Sequence, residues 1–320
     1  MTIYKYFILF ILILSITTSN TFAQACSCGG APLLSSLEQT VTPVGTWQFS
    51  LTYEYNSIGD LVTETTEFED NTRNRFVHSG LLEIGYGLSK HISISAVFSL
   101  LQQERETNSS EGPGDYLRTR GVGDGLFLVK YNFIPFDVFA MRQLAFGAGI
   151  KYPLGKSSLL NNSSLIAADM QPGTGSWDLV LWAYFYQSYF KKIPISLYAN
   201  LSYRLNSSNN RFGVDNPGYR FGNELIAEVG VNYQPESFLN YSTGIKYRST
   251  QSDVFDNNGV PNTGGKWIDL TGGLNANLTE STALRFSGDI PIYRNLNGTQ
   301  LTTSYSLSVS LFYTIAGKSS

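Results

Sequence analysis

Residues 304–313 read SYSLSVSLFY, with Tyr305, Leu307, Val309, Leu311 and Tyr313 alternating against Ser304, Ser306, Ser308 and Ser310. A period of two marks an extended strand, whose successive side chains point to opposite faces. One face of this strand is apolar and edged by tyrosines, and the other is made of hydroxyls. Such a strand fits between lipid on one side and water on the other.

The same pattern recurs upstream. Trp47, Phe49, Leu51, Tyr53 and Tyr55 alternate with Gln48, Ser50, Thr52 and Glu54. Ile92, Ile94, Ala96, Phe98 and Leu100 alternate mostly with serines, and Leu144 to Tyr152 and Ile195 to Leu201 repeat the arrangement. Counting these runs predicts about twelve strands, near 45–55, 73–88, 91–102, 119–133, 140–153, 175–189, 193–206, 219–233, 238–250, 266–278, 282–293 and 301–315. An even number lets antiparallel strands close into a barrel without an exposed edge.

The connections alternate short and long. Short ones fall at 89–90, 134–139, 190–192, 234–237 and 279–281. Long ones, rich in Asn, Ser, Gly, Asp and Pro, fall at 56–72, 103–118, 154–174, 207–218, 251–265 and 294–300. Transmembrane barrels have short periplasmic turns and long outer loops. The fold expected is therefore an all-β, antiparallel transmembrane barrel over 45–315, with both chain ends in the periplasm. A soluble β-sandwich would also alternate, but it has no reason for this rhythm or for an apolar outer face. Aromatics gather towards strand ends (Tyr53, Tyr86, Tyr131, Phe133, Tyr152, Tyr189, Tyr233 and Tyr313), where their amphipathic rings suit the lipid–water boundary.

Composition agrees. Of the 320 residues, 14% are aromatic and only 15% charged, yet the mean hydropathy is close to neutral. That excludes a bundle of apolar helices, and a net charge of -3 gives no reason to expect nucleic acid. Residues 7–16 (FILFILILSI) form an apolar run too short to span a bilayer as a helix. With Lys5 before it and Ala23 and Ala25 after it, the run reads as a signal sequence over 1–25. Residues 26–44 then form a periplasmic N-terminal segment opening with Cys26-Ser27-Cys28. Cys26 and Cys28 are weak candidates for a soft metal, with no His or carboxylate beside them, and no cofactor is expected.

Alternation also assigns the lumen. Its candidates are Glu54, Glu83, Lys130, Lys151, Arg204, Glu224, Glu228, Lys246, Arg248, Asp269, Arg285 and Asp289. Lysine or arginine turned to lipid at mid-membrane would cost about 2–4 kcal/mol each. The two signs nearly balance, so mutual ion pairs are expected rather than a one-sign field. A twelve-strand barrel lies between small filled barrels and wide porins. These residues would either line a narrow pore or form a structural network that plugs it.

No catalytic site is expected. His78 lies on the apolar parity with Leu82 and Ile84, where outer-membrane phospholipases place their histidine, but Ser79 faces the opposite way and no serine is placed beside the ring. His91 reads as a turn residue. Residues 253–259 (DVFDNNG) lack the spacing and closing glutamate of a calcium loop.

Three segments carry a resemblance: 121–131 (GVGDGLFLVKY, with Gly123 and Asp124), 173–178 (GTGSWD, with Gly173, Gly175, Trp177 and Asp178) and 293–301 (YRNLNGTQL, with Asn297, Gly298 and Gln300). In order and spacing they resemble the outer-membrane transporter family named for the meta-cleavage pathway of phenol degradation. The resemblance implies passive passage of small, hydrophobic or aromatic molecules across an outer membrane. The expected partners are outer-membrane lipid, the barrel-assembly machinery and a small-molecule solute. The runner-up is a structural or adhesive barrel with a closed lumen and partner-binding loops.

Overall fold

The computed structural model describes residues 24–25, 33, 41–109, 112–137, 141–189, 194–213, 215 and 217–316. The expected signal sequence apart from Gln24–Ala25, together with Cys26 and Cys28, lies outside the described residues. So do parts of the short turns expected at 134–139 and 190–192. Among the described residues no helix is long and apolar enough to cross a membrane.

Twelve antiparallel barrel strands follow one another in chain order: β1 (Trp47–Thr63), β2 (Arg73–Gly87), β3 (Ile92–Ser109), β4 (Gly112–Val122, continued as Gly125–Asp137), β5 (Arg142–Tyr152), β6 (Asp178–Ser188), β7 (Ile195–Leu205), β8 (Glu224–Glu236), β9 (Leu239–Thr250), β10 (Gly265–Asn277), β11 (Thr282–Leu296) and β12 (Thr299–Ile315). β12 returns to pair with β1 from Trp47↔Ile315 to Thr63↔Thr299, so the sheet closes on itself. Closure satisfies the backbone without water, which a strand in hydrocarbon requires.

Burial is inverted relative to a soluble protein. On β12, Val309 is 38% and Leu311 42% exposed, whereas Ser310 is 6% exposed. Leu51, Phe98, Phe146, Leu181, Ile245, Leu270 and Phe286 continue the exposed apolar belt around the barrel. The polar parity of each strand points inward, as alternation requires.

Strand lengths differ from expectation at the outer ends. Most of the loops expected at 56–72 and 103–118 is strand, because pairing continues from Arg75↔Arg105 and Glu104↔Arg118 well past the last lipid-facing residues. Residues 103–115 are polar at both parities, so a hydrophobic pattern ends there before the ladder does, whereas on β1 the ladder runs on through the buried Ile58 and Val62 past bulges at 57–60. The strand expected at 219–233 is also revised. Tyr219–Arg220 leaves the barrel to pair with Val254–Phe255 in a small sheet within the outer loops. Asp256 and Asn257, both with positive φ, turn this DVFDNNG hairpin.

β11 and β12 flank Asn297-Gly298 but are paired only from Thr282↔Tyr313 to Asp289↔Ser306. Beyond that, Gln24–Ala25 pair in parallel with Gln300–Leu301. Leu33 and Val41, from the expected N-terminal segment, join a buried cluster with Val77, Leu81, Val97, Leu101, Leu126, Leu128, Val180 and Trp182 on the inner wall of β2 to β6. On this half of the barrel, apolar side chains are thus packed among buried polar ones such as Ser79, Ser95, Ser99 and Gln103, where only polar residues had been expected. On these strands apolar residues occupy both parities, as in Leu81-Leu82 and 126–129, so alternation there does not separate lipid from lumen.

Candidate permeation path

All twelve lumen candidates sit on the inward parity, and the structure sorts most of them into ion-paired groups. Near the short-turn end, Lys130 Nζ lies 3.6 Å from Glu83 Oε1 and 4.9 Å over the Trp182 ring. Between β4, β5 and β6, the fully buried Lys151 Nζ is 2.7 Å from Asp124 and 2.9 Å from Asp178. Between β7, β8 and β9, Glu224 bridges Arg204 at 2.9 Å and Arg248 at 2.7 Å, and Arg248 stacks on Trp267. At mid-barrel, Lys246 Nζ is 2.5 Å from Asp289 and 3.7 Å from Asp269, and Tyr198 donates to Glu228 at 2.7 Å. Arg285 lies 4.6 Å over the Phe312 ring. Like and unlike charges are interleaved, so the interior has no single-sign field.

The residues that carry the resemblance form two pins, far apart in the barrel. Gly123-Asp124 breaks β4, and Asp124 Oδ2 accepts from both the amide (3.0 Å) and the hydroxyl (2.7 Å) of Thr174. Gly173 packs against Gly155, where a Cβ on either would collide with the other's backbone, and Gly175 has φ +72°. Ser176 donates to Asp178 at 2.9 Å, and the exposed Trp177 lies beside Tyr152. At the second pin, the buried Gln300 donates to Gly264 O at 2.7 Å, and Asn297 donates to Thr263 O at 3.3 Å. Gly298 supplies a positive φ.

These pins hold the outer loops over the mouth. The 153–177 loop folds onto the inner wall. Arg75, fully buried, bonds Asp169 Oδ2 at 2.7 Å, Thr119 donates to Met170 O at 2.7 Å, and Gln103 donates to Gln171 O at 3.2 Å. Met170 packs against Leu117 and Ile166, and Ala168 against Phe212 and Phe221. In the 206–223 loop, Tyr219 donates to Asp253 at 2.6 Å. Burial, then the Asp253 carboxylate, pushes the phenol's pKa well above its ordinary value and keeps it a donor. Arg75 lies on the inward parity of Glu83 on β2, four inward positions further along, so alternation could have found it. Asp169, on a loop, carries no periodic signal at all.

Below this cap lies a cavity of about 250 Å³ lined by Glu54, Glu228, Lys246, Arg285, Asp289, three tyrosines and a row of serines, with no outer-loop residue in its wall. It shares Asn275, Arg285 and Phe312 with a vestibule of about 560 Å³ among the short turns, bordered by Gln48, Phe238 and Thr282. The two spaces adjoin at the short-turn end of the barrel, and the long loops cover the other end.

No protein-family model matches the sequence, and no curated protein matches it. Solved structures do. An outer membrane channel from Pseudomonas putida F1 superposes with a TM-score of 0.68 at 15% identity, over 87% of this chain and 98% of that one. The chain has the fold of an outer-membrane β-barrel. Weaker likenesses are the transport unit of the autotransporter AIDA-I from Escherichia coli (TM-score 0.49, 10% identity, 89% of this chain and 92% of that one) and a mutant of the monoaromatic hydrocarbon channel TodX (0.45, 9%, 86% and 91%).

His78 faces outward within this barrel. Its Nδ1 is 2.8 Å from the Tyr53 hydroxyl and its ring packs on Tyr55, an interfacial aromatic group, while Ser79 is buried on the opposite, lumen face. His91 sits in its turn against Asn132 O at 2.8 Å.

Proposed function

We propose that this protein is a passive channel for small molecules in the outer membrane of a Gram-negative bacterium, exported by its signal sequence, inserted by the barrel-assembly machinery and oriented with both termini in the periplasm. The observation that carries this reading is the polar mid-barrel cavity and the vestibule that adjoins it at Asn275, Arg285 and Phe312. A barrel that served only as scaffold would gain by filling that space, since interiors pack densely wherever nothing else is required of them. The resemblance to the phenol-degradation transporter family supports the same reading and, taken by itself, implies hydrophobic or aromatic cargo.

The decisive experiment is liposome swelling and single-channel conductance on the refolded, heat-modifiable barrel, beside Arg285→Ala and Arg248→Ala. Arg285 borders the cavity, so its truncation changes conductance. Arg248 is held by Glu224 and Trp267, so its loss weakens the barrel and leaves conductance nearly unchanged. A second reading, a closed barrel with partner-binding loops, draws on the outer cap and the apolar side chains packed inside β2 to β6. A folded barrel that stays silent in both assays would overturn the channel in its favour.

A further inference from the structure

We propose that the mid-barrel cavity is a binding station for a small, uncharged, polyhydroxylated solute. This rests on the channel reading and gives it a cargo class other than the hydrophobic or aromatic one that the resemblance implies. The wall built by β11, β12 and β1 presents hydroxyls in rows. Ser287 and Ser308 lie 2.6 Å apart, Thr52 donates to Ser310 at 2.8 Å, and Ser306 donates to Asp289 at 3.1 Å. A hydroxyl carries one donor and two acceptor sites, so each pair keeps capacity for a ligand. Across the barrel, β6 and β7 contribute Tyr184, Tyr186 and Tyr198 to the same cavity, flat surfaces suited to the C–H face of a polyol.

The alternatives fit less well. An apolar solute would cover hydroxyls and carboxylates without replacing the hydrogen bonds that water gives them. A charged solute would enter a space where Lys246 is already matched by Asp289 and Asp269, and where Glu228 accepts from Tyr198. Its charge would have to compete with these pairs and with the contacts that Glu54 and Arg285, in the same wall, already make. A cavity of about 250 Å³ falls just short of the ~300–1,000 Å³ typical of sites for drug-sized ligands, which limits the occupant to a compact molecule.

The test is calorimetric titration of the refolded full chain with glucose, phenol and benzoate, paired with conductance of the same preparation. The expected result is millimolar binding of glucose, no saturable binding of phenol or benzoate, and at least a fivefold weakening of glucose binding in the Ser308→Ala, Ser310→Ala double variant. Thr52→Val is the second variant should the double one fail to regain heat-modifiability. Phenol or benzoate binding more tightly than glucose, or glucose binding unchanged in the variant, would overturn the assignment. A barrel that binds glucose but passes no current upholds the station and removes the channel. A conducting barrel indifferent to glucose does the reverse.

Discussion

Lys151 is enclosed by Asp124 and Asp178 with almost no contact with solvent. Breaking a buried charge cluster by removing one partner costs about 3–5 kcal/mol, because the remaining charges have no solvent to turn to. Lys151→Met leaves two carboxylates facing each other and is expected to lower stability by that order, read by urea unfolding of the barrel in lipid vesicles. Adding Asp124→Asn and Asp178→Asn should recover part of the loss, whereas an independent role for Lys151 would leave it untouched. A second residue-level effect lies on the outer turn. Burial raises the Asp70 pKa, but hydrogen bonds from Thr72 and the Arg73 guanidinium outweigh it and hold the carboxyl below its ordinary value. With the folded value depressed, the turn's stabilisation is present above the free carboxyl's pKa of about 4 and is lost as pH falls through the folded value. Hydrogen exchange at the Thr72 amide should accelerate, beyond its intrinsic pH dependence, as acid is added below about pH 4, and Asp70→Asn should abolish that excess.

At the scale of elements, the 153–177 loop decides whether the lumen reaches the outside. It is fastened to the wall by side-chain bonds from Arg75, Thr119 and Gln103 and by Asp124 to Thr174, not by a strand ladder. Loops held in this way open at lower free energy than the strands that carry them. Asp169→Asn takes the charge from the Arg75 pair and is expected to raise mean single-channel conductance several-fold at fixed salt while barely moving the unfolding midpoint. Unchanged conductance would mean the barrier lies elsewhere. Shortening the loop between Gly155 and Gly173 would then separate a barrier within the loop from one among the apolar side chains packed inside β2 to β6.

At the scale of the whole molecule, stability depends on a lipid-facing belt that a soluble protein would bury. Penalties for a cation on that belt follow depth, about 2–4 kcal/mol near the midplane and about 0–1 near the interface. Val309 lies midway along the apolar face of β12 and Tyr313 near its short-turn end, both turned to lipid. Val309→Arg should therefore destabilise the barrel by roughly 2–4 kcal/mol and Tyr313→Arg by less than about 1 kcal/mol in vesicle unfolding titrations. Equal penalties at the two positions would contradict the depth assigned to this strand.

The number of strands, their order, the closing pair and the inward parity of every charged candidate were legible in the sequence. A period of two, repeated between turn-forming segments, admits only one placement of charge when lipid lies on one side. Only the tertiary structure could decide which charges meet. Asp124, Lys151 and Asp178 are far apart in the chain and become neighbours through strand register. Asp169 reaches Arg75 because a loop turns inward, a choice that no local periodicity encodes. The apolar packing inside β2 to β6 escaped for a related reason. Leucines on both faces of β2 and β4 satisfy lipid outside and packed side chains inside equally well, so composition alone could not say that Leu33 and Val41 would share the interior with them.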